Sequence, residues 1–411
     1  MVSRGRYRRL TVLSVFLIIS LGHLAFPRLV LTAGSLEERY PLLWQHVHTF
    51  EGHGGVWYIP PDWVQPSIRP QNILEAAQLA IQATNSSDVH LHIPHSQIPL
   101  IVHQTWGHRR IDTWSEDLRQ SVEKWLQFVV EGSMAYFLWE DEGMVEFMDH
   151  FAPEFRDQYS SLASMVEKTD VFRILAAKCV GGIYGDLDAE PLKSPAQWIT
   201  SEDVSPWKDP HTGSVYSSTK PVGAVFGIEA DCPPDGNACW RMGYPYSVQL
   251  TQWSFASRRD HPLLHRYLDN LSNQLQEVAN HYGGSLRAQE ARTELQSLDP
   301  LSLTGPEAVT RAAQEWLNVS AGLRWNALTG LQDGGKAKLV DDVLILPITG
   351  FSPGRGKYGN MGSKPITDPT ARVHHYGQGS WKKFDLIVEL GKFCRTVLGF
   401  CGNWSTVPSI A

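Results

Sequence analysis

Charge, cysteine and above all a surplus of basic residues are scarce in this chain of 411 residues, and each scarcity removes a class of function. Only 19% of the residues are charged, and 36 Lys and Arg stand against 43 Asp and Glu, a net charge of −7. A protein that grips nucleic acid through a basic surface is therefore not expected. Five cysteines, none in a tight C-x2-C pair, argue against a zinc cluster. Internal repeats and low-complexity tracts are missing. What the chain does have is apolar material, 42% of its residues, which is enough for a sizeable core and rules out a disordered or collagen-like polymer.

The charge is uneven. Arg4, Arg6, Arg8 and Arg9 form a basic head, leaving 32 basic against 43 acidic residues, or −11, for the rest. Next comes Leu10 to Phe26, seventeen residues without Asp, Glu, Lys or Arg, just long enough to span a bilayer. Basic residues before an apolar segment favour a cytosolic N-terminus, so the expectation is a cytosolic tail (1–9) and a transmembrane signal anchor (10–26). The rivals are a cleaved signal peptide, for which LTAG at 31–34 is a weak processing site, and a buried soluble helix. Four sequons at Asn85, Asn270, Asn318 and Asn403 agree with a luminal body. So do two C-x6-C pairs, Cys232 with Cys239 and Cys394 with Cys401, while Cys179 reads as a free buried thiol.

Residues 27–95 are rich in Pro, Trp and His, with one helical patch near Ile73 to Ile81, and read as a luminal stem that acts as a spacer. From residue 96 to 411 the texture is that of one catalytic domain. Strand candidates are IPLIVHQTW (98–106), AYFLWE (135–140), IYGDLD (183–188), VGAVFGI (222–228), DVLILP (342–347) and ARVHHY (371–376). Helices are expected from a cap at Ser115 to about Val130, over 143–151, 164–179, 262–280 and 305–317. Such alternation predicts an α/β sheet that is mostly parallel.

The most informative stretch is EKTDVFRILAAKCVGGIYGDLDAEPL at 167–192. Asp186 and Asp188, two apart in an extended segment, would share a face and meet one cation, and two carboxylates suit Mn²⁺ or Mg²⁺. A chain of this composition meets about one D-x-D by chance, so the triplet alone is as consistent with a solvated turn. Asp170 and Arg173, three apart on the preceding helix, share a face and would either reach a ligand together or form a surface ion pair.

The order aspartate, arginine, apolar helix, paired glycines, tyrosine, aspartate pair resembles the catalytic core of glycosyltransferase family 32. Further motifs stand in that family's order: IPLIVHQTWG (98–107), FLWEDE (137–142), GIEADC (227–232), QLTQWSFASRRDHP (249–262), LTGPEAVT (303–310) and VHHYGQGSWK (373–382). The resemblance covers roughly 98–382, and implies a GT-A-type, Rossmann-like single catalytic domain behind the anchor. It implies that Asp186 and Asp188 hold the metal and diphosphate, with His375 completing the metal site. His374 would point to the opposite face of the strand. Donor contacts would come from Thr105, Trp106, Asp170, Arg173, Gly182, Ser380 and Trp381, with Gly182 letting the backbone approach the donor. Glu229 and Asp231, following a buried strand, are candidates to face the acceptor or the reacting sugar, with positioning of a loop as the other reading of Glu229, and Gln252 and Trp253 are weaker acceptor-side candidates. The implied reaction is metal-dependent, retaining transfer of mannose from GDP-mannose in α-1,6 linkage to N-linked high-mannose glycans. The implied setting is a single-pass type II protein of the Golgi membrane. A sphingolipid head group as acceptor, another sugar nucleotide as donor, an idle glycan-binding protein and a secreted glycoside hydrolase are the other readings.

Overall fold

The computed structural model describes residues 34–85, 89–234, 238–355, 361–379 and 386–398. The expected tail and anchor, Ser380, Trp381, Cys401 and Asn403 lie outside the described residues. The chain divides into two units, residues 1–39 and 40–411. The described part of the first is a short helix, Leu36–Arg39. Among the described residues no helix is long and apolar enough to cross a membrane.

The second unit holds twelve strands: β1 (Gly55–Tyr58), β2 (Ile101–Thr105), β3 (Ala135–Trp139), β4 (Gly182–Gly185), β5 (Ala189–Pro191), β6 (Trp207–Lys208), β7 (Val215–Tyr216), β8 (Ala224–Asp231), β9 (Val248–Ser257), β10 (Lys338–Val340), β11 (Val343–Leu346) and β12 (Val373–His375). Eight of them form one sheet in the order β1-β3-β2-β4-β9-β8-β11-β10. The principal helices are α1 (Ile73–Thr84), α2 (Glu116–Glu131), α3 (Asp141–Phe151), α4 (Met165–Cys179), α5 (Pro262–His281) and α6 (Pro306–Ala321).

The sheet is mixed, which corrects the expectation of a mostly parallel one. β2 runs parallel to β3 and β4, and β8 parallel to β11, while the other four neighbouring pairs are antiparallel. Connections decide this. Strands joined through α2, or through α3 and α4, cross over and emerge parallel, whereas β8 returns as β9 through a loop closed by the Cys232–Cys239 disulfide. β10 returns as β11 through Asp341, held at φ 54°. The expected strand at 371–376 exists but pairs only with β5, in a separate two-stranded ribbon.

The stretch expected to be a spacer is also revised. β1 is the terminal strand of the main sheet, and Ile73, Ala76, Ala77 and Ala80 of α1 bury into the main core beside Phe137 and Trp139 of β3. Apolar spacing of three and four residues gave α1 a face that only the sheet could cover.

Local chemistry sets the helix that leads to the site. At the start of α4 Ser164 and Glu167 form a reciprocal capping box, the Glu167 carboxylate accepting the Ser164 N–H at 2.8 Å. The helix stops because Gly181 and Gly182 adopt φ 80° and 110°. A Cβ on Gly182 would stand 2.3 Å from the carbonyl oxygen of Ile101. Glycine is therefore needed so that β4 can lie against β2, and the residue is buried between strands, not offered to a donor. Nine of the fifteen residues of α4 are buried, and Phe172 meets Trp139 and Phe147 edge to face at 5.4 and 5.2 Å. Glu167, Asp170 and Arg173 are among the nine, so three charged side chains are carried inside with the helix. Cys179 is the one free cysteine among the described residues, its thiol pushed up to about 11 by burial, and Cys394 is disulfide-bonded.

Candidate active site at the Asp186–Asp188 turn

β4 ends at Gly185, and the chain turns rather than continuing extended: the Ala189 N–H donates to the Asp186 carbonyl at 2.9 Å. Asp186 and Asp188 thus sit on a tight turn between β4 and β5, and they converge through the turn, not through strand alternation. The turn is fastened on three sides. Asp186 N–H donates to the Trp253 carbonyl on β9 at 2.8 Å, Gln104 Nε2 on β2 donates to the Asp186 carbonyl at 3.3 Å, and Trp125 Nε1 on α2 donates to the Ala189 carbonyl at 2.7 Å. Tyr136 in turn donates to Gln104 Oε1 at 2.8 Å.

The side chains are oriented as well. Asp186 Oδ1 accepts from the Tyr184 hydroxyl at 2.8 Å and from Arg173 Nη2 at 3.1 Å, and the Tyr184 hydroxyl lies 3.0 Å from Thr105 Oγ1. Arg173 Nη2 also meets Asp170 Oδ1 at 3.3 Å, while Thr304 donates to Asp170 Oδ2 at 3.1 Å. Asp188 Oδ2 accepts the Gln378 N–H at 2.9 Å, and Asp188 Oδ1 lies 3.2 Å from His375 Nε2. The His375 ring stacks on Trp253 at 4.3 Å with only 9° between planes. As expected for a strand, His374 faces the other way, toward Tyr376.

Electrostatics follow from burial and neighbours. Burial raises Asp186, with Asp188 adding repulsion, and Arg173 only partly offsets this. Burial also presses Asp188 upward, but the hydrogen bond and charge of His375 and the Gln378 N–H outweigh it and hold Asp188 below the usual carboxylate range. Asp170 is pushed up to about 7 by burial despite Arg173. Arg173 loses hydration, yet Asp186, Tyr184 and Asp170 around it raise its affinity for the proton, so it stays charged.

One oxygen from each aspartate and one nitrogen of His375 lie within 4.8 Å of one another. Two hard carboxylates and an imidazole fit a divalent cation such as Mn²⁺ or Mg²⁺. The side chains keep 26%, 14% and 27% of their exposure, so the group is sheltered but open to a ligand.

The remaining expected residues divide. Asp170 and Arg173 are almost fully buried; Arg173 contacts Asp186 of the turn, while Asp170 contacts Arg173 and Thr304. Thr105 is buried with its hydroxyl spent on Tyr184. Trp106 is half-buried, its ring 6.3 Å edge-on from Trp114. Gln252 does not face an acceptor: it is 1% exposed, and its Nε2 ties the Thr304 carbonyl at 2.7 Å. Asp231 likewise secures a loop, accepting from Thr329 and from the Gly330 N–H. Glu229 remains half-buried beside Gln249, whose Nε2 donates to it at 3.4 Å. Tyr184, Thr304, Gln104 and Gln378 were missed as site residues. Tyr184 stood within the quoted block, and Thr304 and Gln378 stood inside motifs chosen for other residues.

Comparison with known proteins adds an independent line. Residues 115–205 match the glycosyltransferase sugar-binding region containing DXD motif, a span that includes both aspartates of the turn. The chain is 30% identical over 294 residues to the initiation-specific alpha-1,6-mannosyltransferase of Schizosaccharomyces pombe, an alignment over 70% of this chain and 65% of that protein. It is 28% identical over 253 residues to the Candida albicans protein of that name, over 58% of this chain and 60% of the relative. It thus spans somewhat under two thirds of the length of these two relatives. A shorter match, 33% over 109 residues, covers 25% of this chain and 29% of inositol phosphoceramide mannosyltransferase 3 of S. pombe.

Proposed function

We propose that this chain, whose residues 115–205 match a glycosyltransferase sugar-binding region containing DXD motif, is a metal-dependent, retaining mannosyltransferase of the family 32 type. The donor is GDP-mannose, the acceptor an N-linked high-mannose glycan and the new bond an α-1,6 linkage. The observation that carries the reading is the convergence of Asp186, Asp188 and His375 on one small volume. The names of the two relatives matched over most of this chain support the sugar and the linkage. A GT-A-type arrangement fits the mixed sheet, and a Golgi setting with residues 10–26 as the anchor fits the proposed acceptor.

In the mechanism each residue has a task. Asp186 and Asp188 with neutral His375 would hold Mn²⁺ or Mg²⁺, which when bound offsets the charge growing on the leaving diphosphate. The two carboxylates contribute −2, of which Arg173 beside Asp186 offsets part, so a divalent ion would be held by net negative charge at the turn. Tyr184 and Arg173 fix Asp186 through Oδ1, so Oδ2 is the oxygen it would offer to an ion. Gln378 fixes Asp188 through Oδ2 and leaves Oδ1 beside His375. Trp253 holds the imidazole plane, so the ligands are set before the donor arrives. We assign no nucleophilic carboxylate among the described residues. The acceptor hydroxyl therefore attacks on the face that the diphosphate leaves, and a diphosphate oxygen takes its proton.

The test is nucleotide release by the purified full chain with Mn²⁺ and a panel of GDP- and UDP-sugars, with and without high-mannose glycan. Manganese-dependent GDP release from GDP-mannose, stimulated by the glycan and reduced by about 10³-fold or more in Asp188→Ala, is the expected result. Activity on GDP-mannose that only an inositol phosphoceramide stimulates would replace the acceptor, a reading that the third relative favours. No turnover by folded protein would remove the donor.

A further inference from the structure

A second imidazole–carboxylate cluster lies far from the turn in the order of the sheet, at the β1 end. His53 immediately precedes β1, and its Nε2 lies 2.7 Å from Glu146 Oε1 while its Nδ1 lies 3.7 Å from Glu142 Oε2. Glu142 and Glu146 are one turn apart on α3, so they share a face, and His150 follows one turn later. A cavity of about 440 Å³ opens here, lined by His53, Asn72, Leu74, Glu146, Asp149 and His150. One ligating atom from each of His53, Glu142 and Glu146 lies within 4.8 Å of the others.

The backbone keeps these groups together. A Cβ on Gly143 would stand 1.9 Å from the Gly54 carbonyl oxygen, so the loop before β1 rests directly on α3. Gly54 itself holds φ 77°, which brings His53 over the helix. None of this serves the Asp186–Asp188 turn, whose ligands come from other elements.

We propose that His53, Glu142 and Glu146 form a zinc site; His150 lines the same cavity but its Nε2 is engaged by Gln78. Imidazole with carboxylate suits zinc, which takes few ligands at about 2.0–2.2 Å. Magnesium prefers an all-oxygen, largely hydrated shell. Two carboxylates and one neutral imidazole match a +2 charge. The close pair, now at 2.7 Å, opens slightly to admit the ion, and the exposed Glu142 side chain swings to the Nε2 side. The bound ion clasps the loop before the terminal strand to α3.

The experiment uses the full chain carrying Asp188→Ala, which disables the other cluster, and titrates zinc against a chromophoric chelator. One equivalent of zinc is expected, with affinity lowered at least tenfold by His53→Ala and by Glu146→Gln, and with little response to magnesium. Glu146→Gln preserves side-chain size, and circular dichroism without metal checks that both proteins fold. Loss of all zinc to the chelator overturns the site. So does zinc retained unchanged in both substituted proteins. Neither result bears on mannosyl transfer, which is read on the unsubstituted turn.

Discussion

The Asp186–Asp188 turn and the His53 cluster have nearly the same chemistry, two carboxylates and an imidazole, but differ in support. At the turn, neighbours on β2, β4, β9 and α4 and the residues just after β12 direct one atom of each ligand, and every side chain is sheltered. At the His53 cluster the groups face solvent and hold one another, with His53 52% and Glu142 66% exposed. The comparison teaches that the ligand set defines which ion fits, whereas the second layer of contacts decides whether the site is rigid enough for catalysis.

Breaking the support at the turn should have the largest effect. Arg173→Ala leaves Asp170 and Asp186 buried without their cation, and a loss of about 3–5 kcal/mol in unfolding free energy is expected by denaturant titration. Arg173→Lys should recover part of it, since charge returns without the forked geometry. Tyr184→Phe sharpens the comparison further. It removes one donor to Asp186 Oδ1 and should raise the Mn²⁺ concentration for half-maximal activity about tenfold, with little change in melting temperature.

A pH measurement gives a smaller effect. Burial, with repulsion from Asp299 and Glu229, pushes Glu307 at the start of α6 up to about 7, against the attraction of Arg311. A carboxyl with a raised folded value stabilises fully below its unfolded value, and that contribution disappears as pH rises through about 7. The unsubstituted protein should therefore lose on the order of 1–2 kcal/mol relative to Glu307→Gln between about pH 5 and about pH 8, followed by thermal melting. The smallest effect belongs to the exposed cluster. Without added metal, His53→Ala should change stability by no more than about 0.5 kcal/mol, because an exposed pair of this kind contributes little.

What the sequence revealed depended on how local the cause was. Ser115 caps its helix by bonding three residues ahead, and that signal was legible; Ser164 does the same but was read only as the helix boundary. The aspartate pair was legible through its motif, although its turn geometry was not, because the hydrogen bond from Ala189 to Asp186 looks like strand continuation in the residue pattern. Gly182 suggested a ligand and instead met Ile101, eighty-one positions earlier. Gln252 looked like a polar contact surface and proved to be an internal tie to Thr304. β1 was hidden for the same reason: GVWY shows no clear alternation, and its partner, β3, begins about eighty residues later.

The separate ribbon of β5 and β12 gives the chemistry an order in time. His375 reaches Asp188 across 187 positions of chain, and it does so on two short strands that the main sheet does not include. Closing a loop of that length costs more chain entropy than the local contacts of the turn, so we expect the ribbon to form after them. A chain interrupted before β12 would carry the aspartate pair but not the third ligand. His375 thus joins the turn from a part of the chain that the main sheet does not hold.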